Sequence, residues 1–250
     1  MTLVKDILAY LDAIAPIDTK EQWDNCGLLI GDADKEVKKV LLCLDITPEV
    51  VEEAKELDSQ LIISHHPVIF APLSEISSDH IVYKLIENGI FAICMHTNLD
   101  KAENIGVNAC LARALSLSDT ALYPDDFLCV GTLNSTMTDT EFASFVKDSL
   151  SCRGVRYTKG NVVKKVAVSS GGGGDAVFLQ EKYGFDALVT GELKHHQFLH
   201  AKSRSLCAVE AGHFNTEDVV ISPLLSNLEA KFSDVKFVKS KALSDVVNFA

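Results

Sequence analysis

Several apolar runs of strand length in this sequence are followed directly by side chains that bind metal ions. These side chains are the imidazoles of His65, His66, His96 and His213 and the carboxylates of Asp100 and Glu217. Imidazole nitrogen and carboxylate oxygen suit divalent ions such as Zn, Mn, Fe, Co and Ni, and the lack of cysteine in the set argues against a closed structural zinc site. The residue types therefore predict a metal centre that is open to water or to a substrate.

The candidate ligands are too many for one open metal site. Two ions that share a carboxylate or a hydroxide would use five of them: His65, His66, Asp100, His213 and Glu217. In two-metal sites the ions lie about 3.5–4 Å apart, hold the attacking and leaving oxygens, and acidify a bridging water. The sequence therefore predicts two divalent metal ions per chain as cofactors.

His96 lies four residues before Asp100 and allows three interpretations. It is a buried structural histidine, a further metal ligand, or an acid–base group that faces the substrate and titrates near neutral pH. The residues alone leave all three open. We carry His96 forward as the candidate catalytic residue.

Another histidine pair, His195 and His196, follows the apolar run DALVTG and Glu192. A helix that starts here would place the pair on a solvated face. A turn would instead bring Glu192 and one histidine to the rim of the metal site. Both interpretations stay open, whereas His80 and His200 have no neighbouring partners and are expected to be structural or at the surface.

Two further segments have no settled chemistry. The run Gly171–Gly174 follows a predicted strand, and its backbone amides could hold a phosphate. Since no Lys-Ser/Thr follows it, it is not a nucleotide P-loop, and a plain strand-to-helix turn is the favoured interpretation. The polar and aromatic segment Trp23–Leu28 contains Asp24 and Asn25, which could simply cap a turn.

The candidate site residues must be positioned by strands that alternate with helices, which is the pattern of a largely parallel α/β sheet. The predicted strands are 40–46, 61–64, 91–95, 165–170, 186–191 and 206–211. A helix begins between the first two, with Thr47 as its N-cap and Pro48 in its first turn. Since ligands bind beyond the carboxyl ends of such strands, the histidines lie at the usual functional edge.

The two halves of the sequence resemble each other. In each, 21 residues separate the starts of successive strands, from Val40 to Leu61 and from Val166 to Ala187. We therefore expect two similar α/β lobes, at 1–105 and 160–250, joined by a connecting segment at 106–159. The predicted fold class is α/β, with mostly parallel sheets and the metal site between the two lobes.

Composition excludes several classes of partner. The formal net charge is −12, which disfavours general binding to nucleic acids or to anionic membranes. No run of eighteen apolar residues is present, so no membrane-spanning helix is expected. Residues 1–15 form an amphipathic pattern interrupted by charges, which does not fit a signal peptide. Seven cysteines without a C-x-x-C motif indicate a reducing cytoplasm.

Several motifs together make the chain similar to a known family. They are E-x-WDN-x-GLLIG at 21–31, SHHP at 64–67, HTNLD at 96–100, TGE at 190–192 and GH-x-x-x-E at 212–217. In this order, over nearly the whole chain, they resemble the Nif-three-like dinuclear metal-centre proteins, which are often named GTP cyclohydrolase 1 type 2 homologues. The resemblance implies two metal ions held by His65, His66, Asp100, His213 and Glu217, with Glu217 as the bridge. It also implies a ring-shaped homohexamer whose sites face an interior cavity.

Two functions from different classes follow. The first is a metal-dependent hydrolase that acts on a small anionic, nucleotide-like substrate, with GTP ring opening as the named candidate and His96 moving a proton. The second is a non-catalytic metal-binding oligomer that serves as a metal chaperone or a regulatory partner. The same ligands serve both, since metal affinity does not require turnover.

Overall fold

The computed structural model describes residues 1–249, in which strands and helices alternate along most of the chain. The helices are α1 (Val4–Ile14), α2 (Pro48–Glu56), α3 (Ile81–Glu87), α4 (Thr97–Asp100), α5 (Val107–Ala114), α6 (Asp139–Ser149), α7 (Gln180–Tyr183), α8 (His195–Ser203), α9 (His213–Glu217) and α10 (Ile221–Lys231). The strands are β1 (Gly27–Ile30), β2 (Lys39–Cys43), β3 (Leu61–Ser64), β4 (Phe91–Cys94), β5 (Ser118–Tyr123), β6 (Leu128–Met137), β7 (Arg156–Tyr157), β8 (Val163–Ser169), β9 (Ala187–Thr190), β10 (Cys207–Glu210) and β11 (Lys236–Lys239).

The chain divides into two compact units, and each contains one sheet. The first unit comprises Met1–Ile105 and Ile221–Ser244. The second comprises Gly106–Val220 and the segment that begins at Asp245.

This division coincides with the predicted segments only at residue 105. The predicted connecting segment 106–159 lies within the second unit, because β5 and β6 pair antiparallel into the sheet that contains β8. The helix α10 and the strand β11 lie within the predicted lobe 160–250, but in the structure they belong to the first unit, where β11 pairs with β2.

The sheet of the first unit has the strand order β1-β4-β3-β2-β11 and is parallel except at β1. Every residue of β3 is buried, and strands covered on both faces are apolar throughout rather than alternating, which explains the run LIIS. The helix α2 begins as predicted, since Thr47 accepts a hydrogen bond from the backbone N–H of Val50 and Pro48 lies in the first turn.

The sheet of the second unit has the order β5-β6-β8-β9-β10-β7, with a parallel centre of β8, β9 and β10 and antiparallel pairing around it. Successive residues of β8 face opposite sides: Val166 and Val168 pack in one apolar cluster with Phe142 of α6, and Ala167 packs in another with Ala201 of α8. Helices therefore cover both faces. The predicted α/β class with mostly parallel strands is confirmed.

The strand register brings chemical groups to one edge within each sheet. In the first unit Ser64 of β3 pairs with Cys94 of β4, so the residues that follow the two strands leave the sheet side by side. In the second unit Thr190 of β9 lies between Ser169 of β8 and Glu210 of β10. The segments after these three strands are therefore neighbours as well.

No helix in residues 1–249 is both long enough and apolar enough to cross a membrane.

Within the same residues, none of the seven cysteines forms a disulfide, and all except Cys26 are buried. Burial raises the pKa of the Cys207 thiol to about 12 and that of Cys129 to about 11. These two thiols therefore behave as small apolar side chains of the core.

Candidate metal centre

Three imidazoles come together where β3 and β4 end. His65 and His66 follow β3, and His96 follows β4. One nitrogen atom from each ring lies within 4.8 Å of the others. The ring centroids of the adjacent His65 and His66 are 5.0 Å apart, so the bend at these residues directs both side chains to one place. This group of side chains could hold a metal ion.

Each of these imidazoles is held through its Nδ1 atom. The distances are 2.8 Å from His65 to the carbonyl oxygen of Met95, 2.7 Å from His66 to Asp45 Oδ1, and 2.9 Å from His96 to Asp24 Oδ1. Because carbonyl and ionised carboxylate oxygens only accept hydrogen bonds, Nδ1 carries a proton, and each ring in its neutral form presents Nε2 as an electron-pair donor. Histidine ligands are commonly oriented in this way, so the donor set fits a divalent ion.

Asp100, at the end of α4, adds a carboxylate to this group. Its Oδ1 atom lies 3.6 Å from Nε2 of His65, and both residues are buried. Two ligand atoms bound to one ion at about 2.0–2.2 Å each are separated by roughly 3–4 Å. The spacing of these two atoms is therefore that of neighbours in one coordination shell.

Asp24 is the group that fixes His96. Asp24 is buried, with 5% of the residue exposed, and its Oδ2 atom accepts hydrogen bonds from the backbone N–H and the hydroxyl of Thr97. Burial alone would raise the pKa of Asp24, but the hydrogen bonds from His96, Thr97 and Cys26 outweigh it and hold the pKa well below its usual range. Asp24 is therefore an ionised partner for the His96 ring rather than the turn cap that was one interpretation of the sequence.

Two predicted ligands lie together in the second unit. His213 and Glu217 are at positions i and i+4 of the short helix α9, and His213 Nε2 lies 2.9 Å from Glu217 Oε2. The preceding residue, Gly212, has a φ of 90°, which glycine adopts readily and which allows the chain to turn sharply from β10 into α9. The Nδ1 atom of His213 is 2.7 Å from Glu192 Oε1.

The chemistry of this second pair also fits a cation. A His213 ring that donates its Nδ1 proton to Glu192 presents Nε2 as an acceptor. That acceptor lies 2.9 Å from Oε2 of Glu217, so the two atoms offer one nitrogen and one oxygen ligand to a cation. Imidazole and carboxylate donors on one helix face are a common arrangement for binding a divalent ion.

Gly171 is a residue of this site that the predicted ligand set did not include. A Cβ atom at this position would lie 1.9 Å from Glu217 Oε1 and 3.1 Å from His213 Nε2. Its φ is 53°, and its backbone N–H donates to Thr216 Oγ1. The backbone after β8 therefore approaches the donor atoms more closely than any side chain would permit.

Other candidates from the sequence lie elsewhere or act indirectly. His195 and His196 are exposed in the first turn of α8, and His196 stacks on Phe178. Glu192 supports His213 rather than joining a histidine of that pair. After Gly171 and Gly172 the chain enters a 3-10 helix, Gly173–Leu179, which matches the favoured interpretation of a strand-to-helix turn.

The model of the family described as Duf34/NIF3 (NGG1p interacting factor 3) matches residues 2–245. The GTP cyclohydrolase 1 type 2 homolog of Clostridium perfringens is 34% identical to this chain in an alignment that covers 98% of this chain and 99% of that protein. A crystal structure of a Staphylococcus aureus protein covers 100% of this chain and 99% of its own, with a TM-score of 0.93 and 28% identity. That of a Bacillus cereus protein related to NIF3 also has a TM-score of 0.93, with 25% identity and coverage of 100% and 99%.

Proposed function

This chain belongs to the Duf34/NIF3 family, and on that basis we propose that it is a metal-dependent hydrolase acting on a small, anionic, nucleotide-like substrate. The family predicted from the sequence motifs is thereby confirmed. The observation that carries the proposal is the common orientation of four histidines. His65, His66, His96 and His213 each have an oxygen acceptor at Nδ1, and in the neutral ring Nε2 is then an electron-pair donor for a metal ion.

We assign two divalent ions to five ligands, namely His65, His66, Asp100, His213 and Glu217. The first three belong to one unit of the chain and the last two to the other. Each set has donor atoms at spacings that suit a cation, which supports the assignment. As the family resemblance implies, Glu217 would be the residue shared by the two ions.

When bound, such ions make water acidic enough to act at neutral pH and stabilise the negative charge that develops on the substrate. The chain itself supplies orientation and proton transfer. Met95, Asp45 and Glu192 hold the ligand rings through Nδ1, and Asp24 holds the His96 ring in the same way. We propose that His96 accepts and returns a proton at Nε2, as a general acid–base group.

The charge of the chain supports a small partner. A net charge of −12 disfavours general binding of long polyanions. Two divalent ions would concentrate positive charge in one place, where a phosphate or another small anion could bind. The names of the curated relatives refer to GTP cyclohydrolase, and a guanine nucleotide is therefore the first substrate to test.

The remaining parts of the proposal concern assembly and location. We propose that the chain forms a homohexamer, as the family resemblance implies, and that it acts in the cytoplasm. Buried thiols, of which none forms a disulfide in residues 1–249, support a reducing compartment. Sedimentation equilibrium would test the assembly, and a mass other than that of six chains would contradict it.

Activity is tested on metal-depleted protein reloaded separately with Mn, Zn, Fe, Co or Ni and supplied with GTP or simple phosphoesters. We expect hydrolysis with at least one metal and its loss in Glu217→Gln, whereas the control Glu229→Gln, an exposed residue of α10, keeps it. Binding of two ions without hydrolysis of any substrate, with any of the metals, would contradict the proposal that the protein is an enzyme. It would favour a non-catalytic metal-binding oligomer instead.

A further inference from the structure

Two large aromatic side chains are exposed beside the histidine group of the first unit. Trp23 is 58% exposed and Phe70 is 56% exposed. Their ring centroids lie 5.8 Å apart at an interplanar angle of 47°, and the Trp23 ring lies 6.1 Å from His96 in an edge-on arrangement. We call this pair of rings the aromatic platform. Exposure of two contacting aromatic rings next to polar donor atoms indicates a binding surface rather than a core.

The platform is held from two sides by the residues that follow Trp23. Asp24 is buried and hydrogen bonded to His96 and Thr97, and these contacts fix the backbone next to Trp23. Asn25 donates from Nδ2 to the carbonyl oxygen of Ile69 at 2.7 Å, which fixes the residue directly before Phe70. In the W-D-N sequence, Trp23 therefore supplies one ring of the platform and Asp24 orients His96. Asn25 supplies a hydrogen bond to the residue before the second ring.

We infer that the aromatic platform binds the planar heteroaromatic ring of a nucleotide-like ligand by stacking. A rigid aromatic pair binds flat rings with little loss of side-chain entropy, and stacking of a base on a protein ring is tolerant of base identity. The position beside His96 would place the sugar and phosphate of such a ligand next to the proposed metal ligands. Only this placement of the phosphate rests on the proposed function.

The sequence offers a direct probe, because Trp23 is the only tryptophan in the chain. Guanosine, which has no phosphate, is titrated into EDTA-treated protein while Trp23 fluorescence is recorded, with N-acetyltryptophanamide as the correction for absorbed light. We expect saturable quenching. Since neither metal nor phosphate is involved, this result does not depend on the metal centre.

Variants then separate stacking from anion binding in metal-loaded protein. Trp23→Leu and Phe70→Ala are expected to weaken GMP binding about 10- to 100-fold, the usual contribution of one stacked base. Binding of ribose 5-phosphate should change less than twofold. The control Phe178→Ala removes an aromatic side chain that is 48% exposed in the second unit, and should leave GMP binding unchanged. Equilibrium dialysis measures all of these affinities, and thermal unfolding confirms that each variant is folded.

Two results would overturn the inference. The first is unchanged Trp23 fluorescence with guanosine together with wild-type GMP affinity in Trp23→Leu. The second is fluorescence that depends on protein dilution and not on guanosine, because the platform would then be a contact between copies of the chain. Quenching by guanosine in a protein that binds no metal would instead contradict the proposed function and leave the aromatic platform supported.

Discussion

Asp24 Oδ1 accepts a hydrogen bond from His96 Nδ1 at 2.9 Å, and these two residues are 72 positions apart in the sequence. The contact joins the segment before β1 to the segment after β4. The strands β1 and β4 are antiparallel neighbours in the sheet of the first unit. It fixes which nitrogen of His96 carries the proton. The proton chemistry proposed for His96 therefore depends on a carboxylate that is not among the five proposed metal ligands.

Replacing His96 distinguishes the interpretations that the sequence left open. For His96→Ala we expect wild-type metal content and a loss of turnover of about 10²- to 10⁴-fold, the usual contribution of a general acid–base group. Metal analysis and the hydrolysis assay on the same preparation provide the test. A loss of one bound ion would identify His96 as a ligand, and unchanged turnover would make it structural.

Asp24 is expected to contribute to stability in a pH-dependent manner. Its pKa is lower in the folded protein than in the unfolded chain, so its contribution is fully present above the unfolded value of about 3.9 and is lost as the pH falls toward the folded value. Replacing Asp24 by Asn should cost about 1–3 kcal/mol near pH 7, since buried donors lose an ionised acceptor. In urea unfolding, the difference from wild type should stay constant from pH 7 to about pH 5 and shrink as the pH falls from there to pH 3. A difference that is constant or grows would contradict this interpretation.

Glu192 tests whether the support of His213 matters for metal binding. Glu192→Ala removes the acceptor of His213 Nδ1, and loss of such a supporting group typically weakens metal affinity about 10- to 100-fold. Competition with a chelator of known affinity measures the change. The exposed Glu229→Ala is the control and should retain the wild-type affinity. Equal affinities for both variants would show that the contact has no role in metal binding.

Gly171 and Gly172 form a matched pair of neighbouring positions. Gly171→Ala would place a methyl group 1.9 Å from Glu217 Oε1 on a backbone with φ of 53°, whereas a Cβ at Gly172 would meet nothing within 4 Å. We expect Gly171→Ala to lose metal bound through Glu217 and to lower the unfolding temperature, and Gly172→Ala to behave as wild type. Elemental analysis and calorimetry of the two variants test this. Similar behaviour of both would mean that the backbone at Gly171 has room to move.

The strands that carry the site could be predicted because their apolar runs are continuous. The run LIIS coincides with β3, and DALVTG and LCAVEA include β9 and β10 with extra residues at their ends. Buried parallel strands give such runs directly, so the sequence alone identifies the histidines that follow them as candidate ligands. The strands β5 and β6 lack this signal, since β5 is mostly exposed and β6 becomes exposed toward its end. The extent of the second unit was therefore not predictable from apolar runs.

The residues that orient the histidine rings are harder to identify from the sequence than the proposed ligands. Asp45 lies two residues past the end of β2, whereas the sequence predicts it within the strand 40–46, because the apolar run continues through Leu44. Asp24 and Gly171 act through contacts with residues more than 40 positions away, and no local pattern signals such contacts. A carboxylate next to an aromatic residue, as in Trp23-Asp24-Asn25, was the one available indication.

Metal content decides the central proposal. Purified wild-type protein, His65→Ala and the control His200→Ala, a histidine of α8 in edge contact with Phe178, would be analysed together for metal ions per chain. We expect two ions per chain in wild type and in His200→Ala, and one or none in His65→Ala. Equal metal content in wild type and His65→Ala would contradict the assigned centre.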